Sequence, residues 1–289
     1  MDGNQQVKAK GFSPETLAQI PPALQAVVDA GDLSGFVTMI WRNGEVVQLN
    51  TVGMADIEAG RPMARDTMFR IASMTKPITT VAALQLMEEG KLKLSDPIKK
   101  WLPEFTDLKV LKDAQGPLEE VVPLNRDITV EDVMTHRAGF AYGFTSIGPI
   151  AHAHENVLGP PLDNPVTPDE WLKRLASLPL SYPPGERFHY SHATEVLGFL
   201  VARIEGKPLG EVLQARVFGP LGMVDTAFNV PKDKRDRAAR VYRAPPEGAL
   251  EVVPFPDYDE SPVYEAGGGG LISTVDDYLK FARLLLNDG

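Results

Sequence analysis

The 289-residue chain has no cysteine. That excludes a disulfide framework, a thiolate nucleophile and a Cys-zinc site, and it leaves the redox compartment open. No uninterrupted apolar run approaches the roughly 18 residues of a membrane span, and the opening MDGNQQVKAKGFSPE lacks the apolar stretch of a secretory signal. The expectation is a soluble, cytoplasmic protein with no membrane partner. Positive charge is scarce as well. Lys and Arg number 29 against 39 Asp and Glu, for a net charge of -10 without a basic stripe, so nucleic acid is not an expected partner. What remains is 43% hydrophobic and 24% charged, the balance of a globular chain able to bury a large core as one intertwined or two adjacent domains.

Local signals place the elements. Ser13-Pro14-Glu15 opens a helix expected to run to about Ala30, where Gly31 stops it. GFVTMIW and EVVQLNTVG alternate around Asn43-Gly44, a strong hairpin signal. From Ser73 the spacing of Ile78, Val81, Ala82 and Leu86 predicts a helix ending at Gly90. Further helices are expected over 128–137, 167–177 and 191–205, a small hairpin around PPEG, and a last helix over YLKFARLLL. No later segment offers strands as long as the first two, and a lone hairpin is marginal in water. The chain stops at Asn287-Asp288-Gly289, directly after a helix. A C-terminal portion completing the sheet is therefore expected to be missing here or supplied by another chain, such as a companion fragment of the same protein.

Ser73-Met74-Thr75-Lys76 is the stretch with chemistry in it. Ser-x-x-Lys occurs by chance about once in a chain this long, so the motif alone decides nothing. Its setting adds weight, because the serine falls where the strand-like MFRIA gives way to an apolar helix, among backbone donors suited to an oxyanion. Lys76 lies one turn on, within reach of the Ser73 hydroxyl. A lysine serves as a base when burial or a nearby cation lowers its pKa from about 10.4. The local pattern leaves two readings open, a nucleophile beside its base or a capping serine followed by a solvated lysine. Tyr190 and His192, in ERFHYSHATEVLGFL, stand at a second loop-to-helix junction.

Several long segments carry a resemblance. They are SMTKPITTVAALQLMEEGKLKLSDPIKKWLPEF, ITVEDVMTHRAGF, YPPGERFHYSHATEVLGFLVARIEGKPL, GPLGMVDTAF and AGGGGLISTVDDYLKFARLLLNDG. In this order they resemble the serine β-lactamase-like family, and within it the esterases related to class C β-lactamases, called family VIII carboxylesterases. The resemblance implies an α/β part plus an all-helical part, with an antiparallel sheet flanked by helices, left incomplete in this chain. It implies that Ser73 is the acylated nucleophile, that Lys76 and Tyr190 share the proton transfer, and that His192 contacts substrate in place of the asparagine of Tyr-x-Asn. No cofactor and no metal are implied. The His-Thr-Ser-Gly element reads His136-Arg137-Ala138-Gly139 here. A third motif on a strand is expected after the last helix, where the sequence stops, and losing one oxyanion donor of that kind costs on the order of 3 kcal/mol.

The leading expectation is a serine carboxylesterase acting on a small-molecule short-chain acyl ester, since His192 removes the amide that β-lactamases use. The alternatives are a β-lactamase or D,D-peptidase, and an inactive or binding-only fragment. Residues 1–76 are assigned to the α/β part, 77–230 to a mainly helical domain and 231–289 to a hairpin and return helix, with the site between the parts. His136 is read as structural and His189 as pointing elsewhere. His152, His154 and Glu155 lack a distant ligand set for zinc. Gly267 to Gly270 is read as a close backbone approach near the site. Asp56, Glu58 and Asp66 are read as solvated or turn residues.

Overall fold

The structure is a computed structural model that describes residues 11–160, 162, 164–255 and 261–287. The opening decapeptide and the terminal Asp288-Gly289, both used in the sequence reading, lie outside the described residues. Helices α1 (Pro14–Leu17) and α2 (Ile20–Asp29) replace the single helix expected there. Ser13 caps α1 as anticipated, accepting the Thr16 N–H. The break follows from Pro21 and Pro22, which have no N–H to give to the carbonyls of Leu17 and Ala18. Strands β1 (Gly35–Arg42) and β2 (Glu45–Asp56) form the expected hairpin, with positive φ at Asn43 (49°) and Gly44 (86°), as a tight primed turn requires.

Strand β3 (Arg61–Pro62) pairs with β2, and β4 (Phe69–Arg70) precedes the helix α3 (Thr75–Glu88). That helix begins two residues later than expected, after a 3-10 turn over Ala72–Met74. Pro77 explains the delay, because the residue four back from it is Ser73, whose carbonyl the ladder cannot reach. Then come the short pair β5 (Lys109–Leu111) and β6 (Val121–Pro123), α4 (Val130–Met134), α5 (Pro149–Leu158), α6 (Pro168–Ala176), α7 (Ala193–Glu205), α8 (Leu209–Leu213) and α9 (Gly219–Leu221). The chain continues through β7 (Val241–Arg243), its partner β8 (Glu251–Val253), β9 (Ile272–Ser273) and α10 (Val275–Leu286). Thr129, Thr167 and Thr274 cap α4, α6 and α10 through their side chains, and at α4 Asp132 completes a capping box.

Two compact units result. The first takes the described residues up to Arg70, those from Gly222 to Phe255 and those from Ile272 on. In it α2 packs on β1 and β2, α10 packs on β1, and β4 pairs antiparallel with β9. Asp56, read as solvated, is 7% exposed and accepts from the Arg240 guanidinium at 2.8 Å, while its other oxygen takes the Ala59 N–H in a turn. Glu58 accepts the Tyr242 hydroxyl, and Asp66 pairs with Arg237.

The second unit comprises Ile71–Leu221 and Ser261–Leu271. Helix α7 is its spine: every residue from Ala193 to Val201 is buried, and α3, α4 and α8 pack around it. Trp171 of α6, Phe199 of α7 and Tyr264 form a triangle of rings with centroids 5.4 to 5.6 Å apart. Large aromatic groups buried this way dominate core energetics. The distal ends of α3 and α7 are tied by Arg216, which reaches both Glu89 and Glu205. Arg203 of α7 holds both carboxylate oxygens of Glu104 and the Trp101 carbonyl. The two helices that present the site residues are thus fixed by their cores and by their far termini. Among the described residues, no helix is long and apolar enough to cross a membrane.

Candidate active site

Ser73, Lys76 and Tyr190 converge within the second unit. The Ser73 Oγ stands 2.7 Å from the Tyr190 hydroxyl and 3.3 Å from the Lys76 Nζ. Two features put the serine there. Ala72 adopts the left-handed region (φ 44°), turning the chain sharply between β4 and α3. Lys76 then follows Ser73 by one turn, so both side chains leave the same face. Ser73 is exposed while Thr75, Ile78 and Thr79 beyond it are buried, so the residue sits at the surface above a buried helix face.

The Lys76 amine is surrounded. It donates to the Gly268 carbonyl at 2.6 Å, lies 3.5 Å from the Tyr142 hydroxyl, and sits 4.9 Å above the Tyr190 ring centroid. The glycine run read as a close backbone approach provides that carbonyl. Next to it, the Gly267 carbonyl accepts from Thr79 at 2.7 Å. On the other side, the Gly268 N–H donates to Glu195 Oε2 at 2.8 Å. Burial pushes the Glu195 carboxyl up to about 7, against the opposing pull of that N–H and of Lys76.

Tyr190 is oriented from both sides. Its carbonyl accepts from Thr145 at 2.9 Å, and its ring packs 4.8 Å from His136. The Ser191 N–H donates to His136 Nδ1 at 3.3 Å, which leaves the imidazole proton on Nε2, facing Thr194 Oγ1 at 3.5 Å. Burial, with the Lys76 and His189 charges adding to it, lowers His136 to about 4. Its contacts are with the Ser191 backbone, Thr194 and the Tyr190 ring. His189 bonds Ser146 and meets Tyr182 edge-on.

His192 lies two residues past Tyr190, at the start of α7, and is 4% exposed. Its ring meets Tyr142 edge-on at 4.1 Å, stacks on His154 at 5.6 Å and faces Trp171. Its Nδ1 has no hydrogen-bond partner among the described residues. Burial is the chief reason that His192 is held well below the ordinary imidazole range and that His154 falls to about 4. His152 is exposed and bonds the Gly148 carbonyl, apart from His154. No group of three or more potential ligands that could hold a metal occurs among the described residues.

Three participants were not singled out in the sequence. Glu195 left a signal, an acid inside the apolar run of α7. Tyr142 left none, since an aromatic in a loop carries no periodicity. The Gly268 carbonyl belongs to a stretch recognised by its glycines but without a partner assigned.

With this geometry in view, the comparisons with known proteins gain meaning. Residues 22–289 match the family described as Beta-lactamase. An uncharacterized protein of Mycobacterium tuberculosis is 49% identical over 268 residues, or 92% of this chain and 66% of that one. Esterase EstB of Burkholderia gladioli is 34% identical over 284 residues, covering 91% of this chain and 69% of the relative. Among solved structures, EstCE1, described as a hydrolase with promiscuous acyltransferase activity, aligns with a TM-score of 0.78 at 28% identity. That alignment covers 94% of this chain and 72% of EstCE1. The chain thus spans 66 to 69% of the length of these curated relatives. The fold class expected from the sequence, an α/β part plus helices of β-lactamase and D,D-peptidase type, is the one found.

Proposed function

Because the chain belongs to the Beta-lactamase family, we propose that it contributes the nucleophile of a serine hydrolase that cleaves short-chain carboxylic esters through an acyl-enzyme on Ser73. The observation that carries the reading is the convergence of Ser73 Oγ, Tyr190 OH and Lys76 Nζ within hydrogen-bond reach. A hydroxyl nucleophile is weak until a neighbouring group takes its proton as it attacks, and both neighbours are positioned to do so.

The Oγ–acyl carbon bond forms while the Ser73 proton passes to the Lys76/Tyr190 pair. The carbon–alkoxide bond then breaks and the departing alcohol takes that proton. Water, deprotonated by the same pair, attacks the acyl carbon and releases the acid, restoring the Ser73 hydroxyl. The two groups interact closely enough that the base is the pair rather than either member. Buried behind Tyr142, whose ring it supports, His192 would act on substrate only through that tyrosine and not by direct contact. An alcohol in place of water would give acyl transfer, a second reading favoured by the description of EstCE1.

Fluorophosphonate labelling of Ser73, together with turnover of p-nitrophenyl butyrate, tests the proposal. Ser73→Ala is expected to abolish labelling and to lower turnover about a thousandfold or more. A Ser73→Ala protein that retains full turnover would overturn it.

A further inference from the structure

Glu195 has no part in the proton path just described, yet it occupies a costly position. It is 2% exposed on α7, and a carboxyl group so far from water needs a partner to offset its desolvation. Its partner is backbone. The Oε2 accepts the Gly268 N–H at 2.8 Å, and the carbonyl of the same glycine accepts from Lys76 Nζ at 2.6 Å. There is no room for a side chain between them: a Cβ on Gly268 would lie 2.4 Å from Glu195 Oε1 and 3.3 Å from Lys76 Nζ. Carboxyl and amine face each other across one bare residue.

Thr79 fixes the neighbouring Gly267 carbonyl, so the glycine run is held at two successive residues. The charged and titratable groups that face Glu195 are Lys76 from α3, Tyr142 from the segment after α4, and Tyr264 from the segment leading into the glycine run. Burial pushes both phenols up, and Glu195 adds to the shift at each.

We infer that Glu195 is a positioning residue for Lys76, clamping Gly268 so that its carbonyl holds the amine against Ser73, and coupling its own ionisation to the pH dependence of acylation. The inference rests on the reading of Ser73 as nucleophile and of Lys76 as part of its base. A carboxyl titrating at about 7 changes charge within the range where such a base must work. When ionised, Glu195 favours a positive charge on the amine it faces. When it is neutral or replaced by an amide, that attraction is gone.

The test compares the parent with Glu195→Gln, which keeps the shape and an acceptor oxygen, and with Glu195→Ala, which keeps neither. The rate of fluorophosphonate labelling at Ser73 is followed from about pH 5 to 9, with the Gly268 amide resonance followed over the same range in 15N-glycine-labelled protein. Glu195→Gln is expected to label with the acidic limb displaced about one unit to lower pH, and Glu195→Ala to label about tenfold more slowly at every pH. The Gly268 resonance is expected to titrate near pH 7 in the parent and to be silent in Glu195→Gln. Superimposable labelling profiles for parent and Glu195→Gln overturn the inference and leave the nucleophile assignment standing. A parent that does not label at Ser73, but whose Gly268 resonance titrates, supports the clamp and removes the nucleophile assignment. If Glu195→Ala fails to fold, the Glu195→Gln profile and the resonance still decide.

Discussion

Gly198 of α7 and Gly267 meet with no side chain between them: a Cβ built on Gly267 would stand 3.1 Å from the Gly198 Cα. The contact lets the glycine run approach α7 closely enough for Gly268 to meet both Glu195 and Lys76. At Gly198 itself an added Cβ would lie 2.9 Å from Leu209 Cδ2 and 3.2 Å from the Gly267 Cα. Leu209 can shift, but the backbone cannot. Gly198→Ala gains about 1 kcal/mol of helix propensity and loses about 1 to 3 kcal/mol to overpacking. The expected outcome is a slightly lower thermal midpoint with an ester turnover reduced about tenfold, since a small displacement of the Lys76 partner misaligns the proposed base. Turnover equal to the parent's would show that the close approach does not serve the amine.

The two tyrosines near Lys76 are expected to behave differently. Tyr190 bonds Ser73 at 2.7 Å, whereas Tyr142 presents its hydroxyl to the amine, at 3.5 Å. Tyr190→Phe removes a group of the proposed proton path and is expected to lower kcat/KM by about 10²- to 10⁴-fold. Tyr142→Phe keeps the ring against His192 and Phe144 and is expected to cost less than about tenfold. Steady-state kinetics on one ester, measured for both variants, decides; equal losses would contradict the assignment.

Acid sensitivity should trace to the buried imidazoles. His154 titrates at about 4 in the fold and at about 6.5 when unfolded, so between these values the unfolded chain binds more protons. The stability its burial contributes is therefore present above about 6.5 and lost as pH falls toward 4. His136 acts in the same sense. Glu195 opposes them: its carboxyl is raised to about 7 from 4.5, so its contribution is present below 4.5 and lost as pH rises through 7. His154→Phe keeps a stacked ring beside His192 and removes one titration. Urea midpoints at pH 7 and pH 5 are expected to lie closer together in this variant than in the parent, and an unchanged gap would rule His154 out as a source.

Local chemistry made much of the fold readable. Asn43-Gly44 specified a turn that few other dipeptides adopt, and Ser13 announced a helix that it does cap. The errors are local as well. Pro21-Pro22 divides the first helix, and Pro77 delays α3, both through a missing N–H that was visible in the sequence. The convergence of Ser73 with Tyr190 came from family resemblance, because 117 positions separate them and periodicity reports burial without naming partners. Tyr142 and the Gly268 carbonyl meet Lys76 across separations of 66 and 192. Their arrival depends on how α7 and the glycine run pack, which no window of neighbouring residues encodes.

Ala72, immediately before the serine, adopts a left-handed conformation that costs a residue with a Cβ about 1 to 2 kcal/mol. Ala72→Gly would relieve that cost and, after the extra freedom glycine gains in the unfolded chain, stabilise the fold by up to about 1 kcal/mol. It would also slacken the turn that presents the Ser73 hydroxyl to Tyr190. The expected result is a higher melting temperature with slower acylation, the exchange of activity for stability that strained sites impose. A stability-guided redesign of this chain would do well to leave its most obvious target alone.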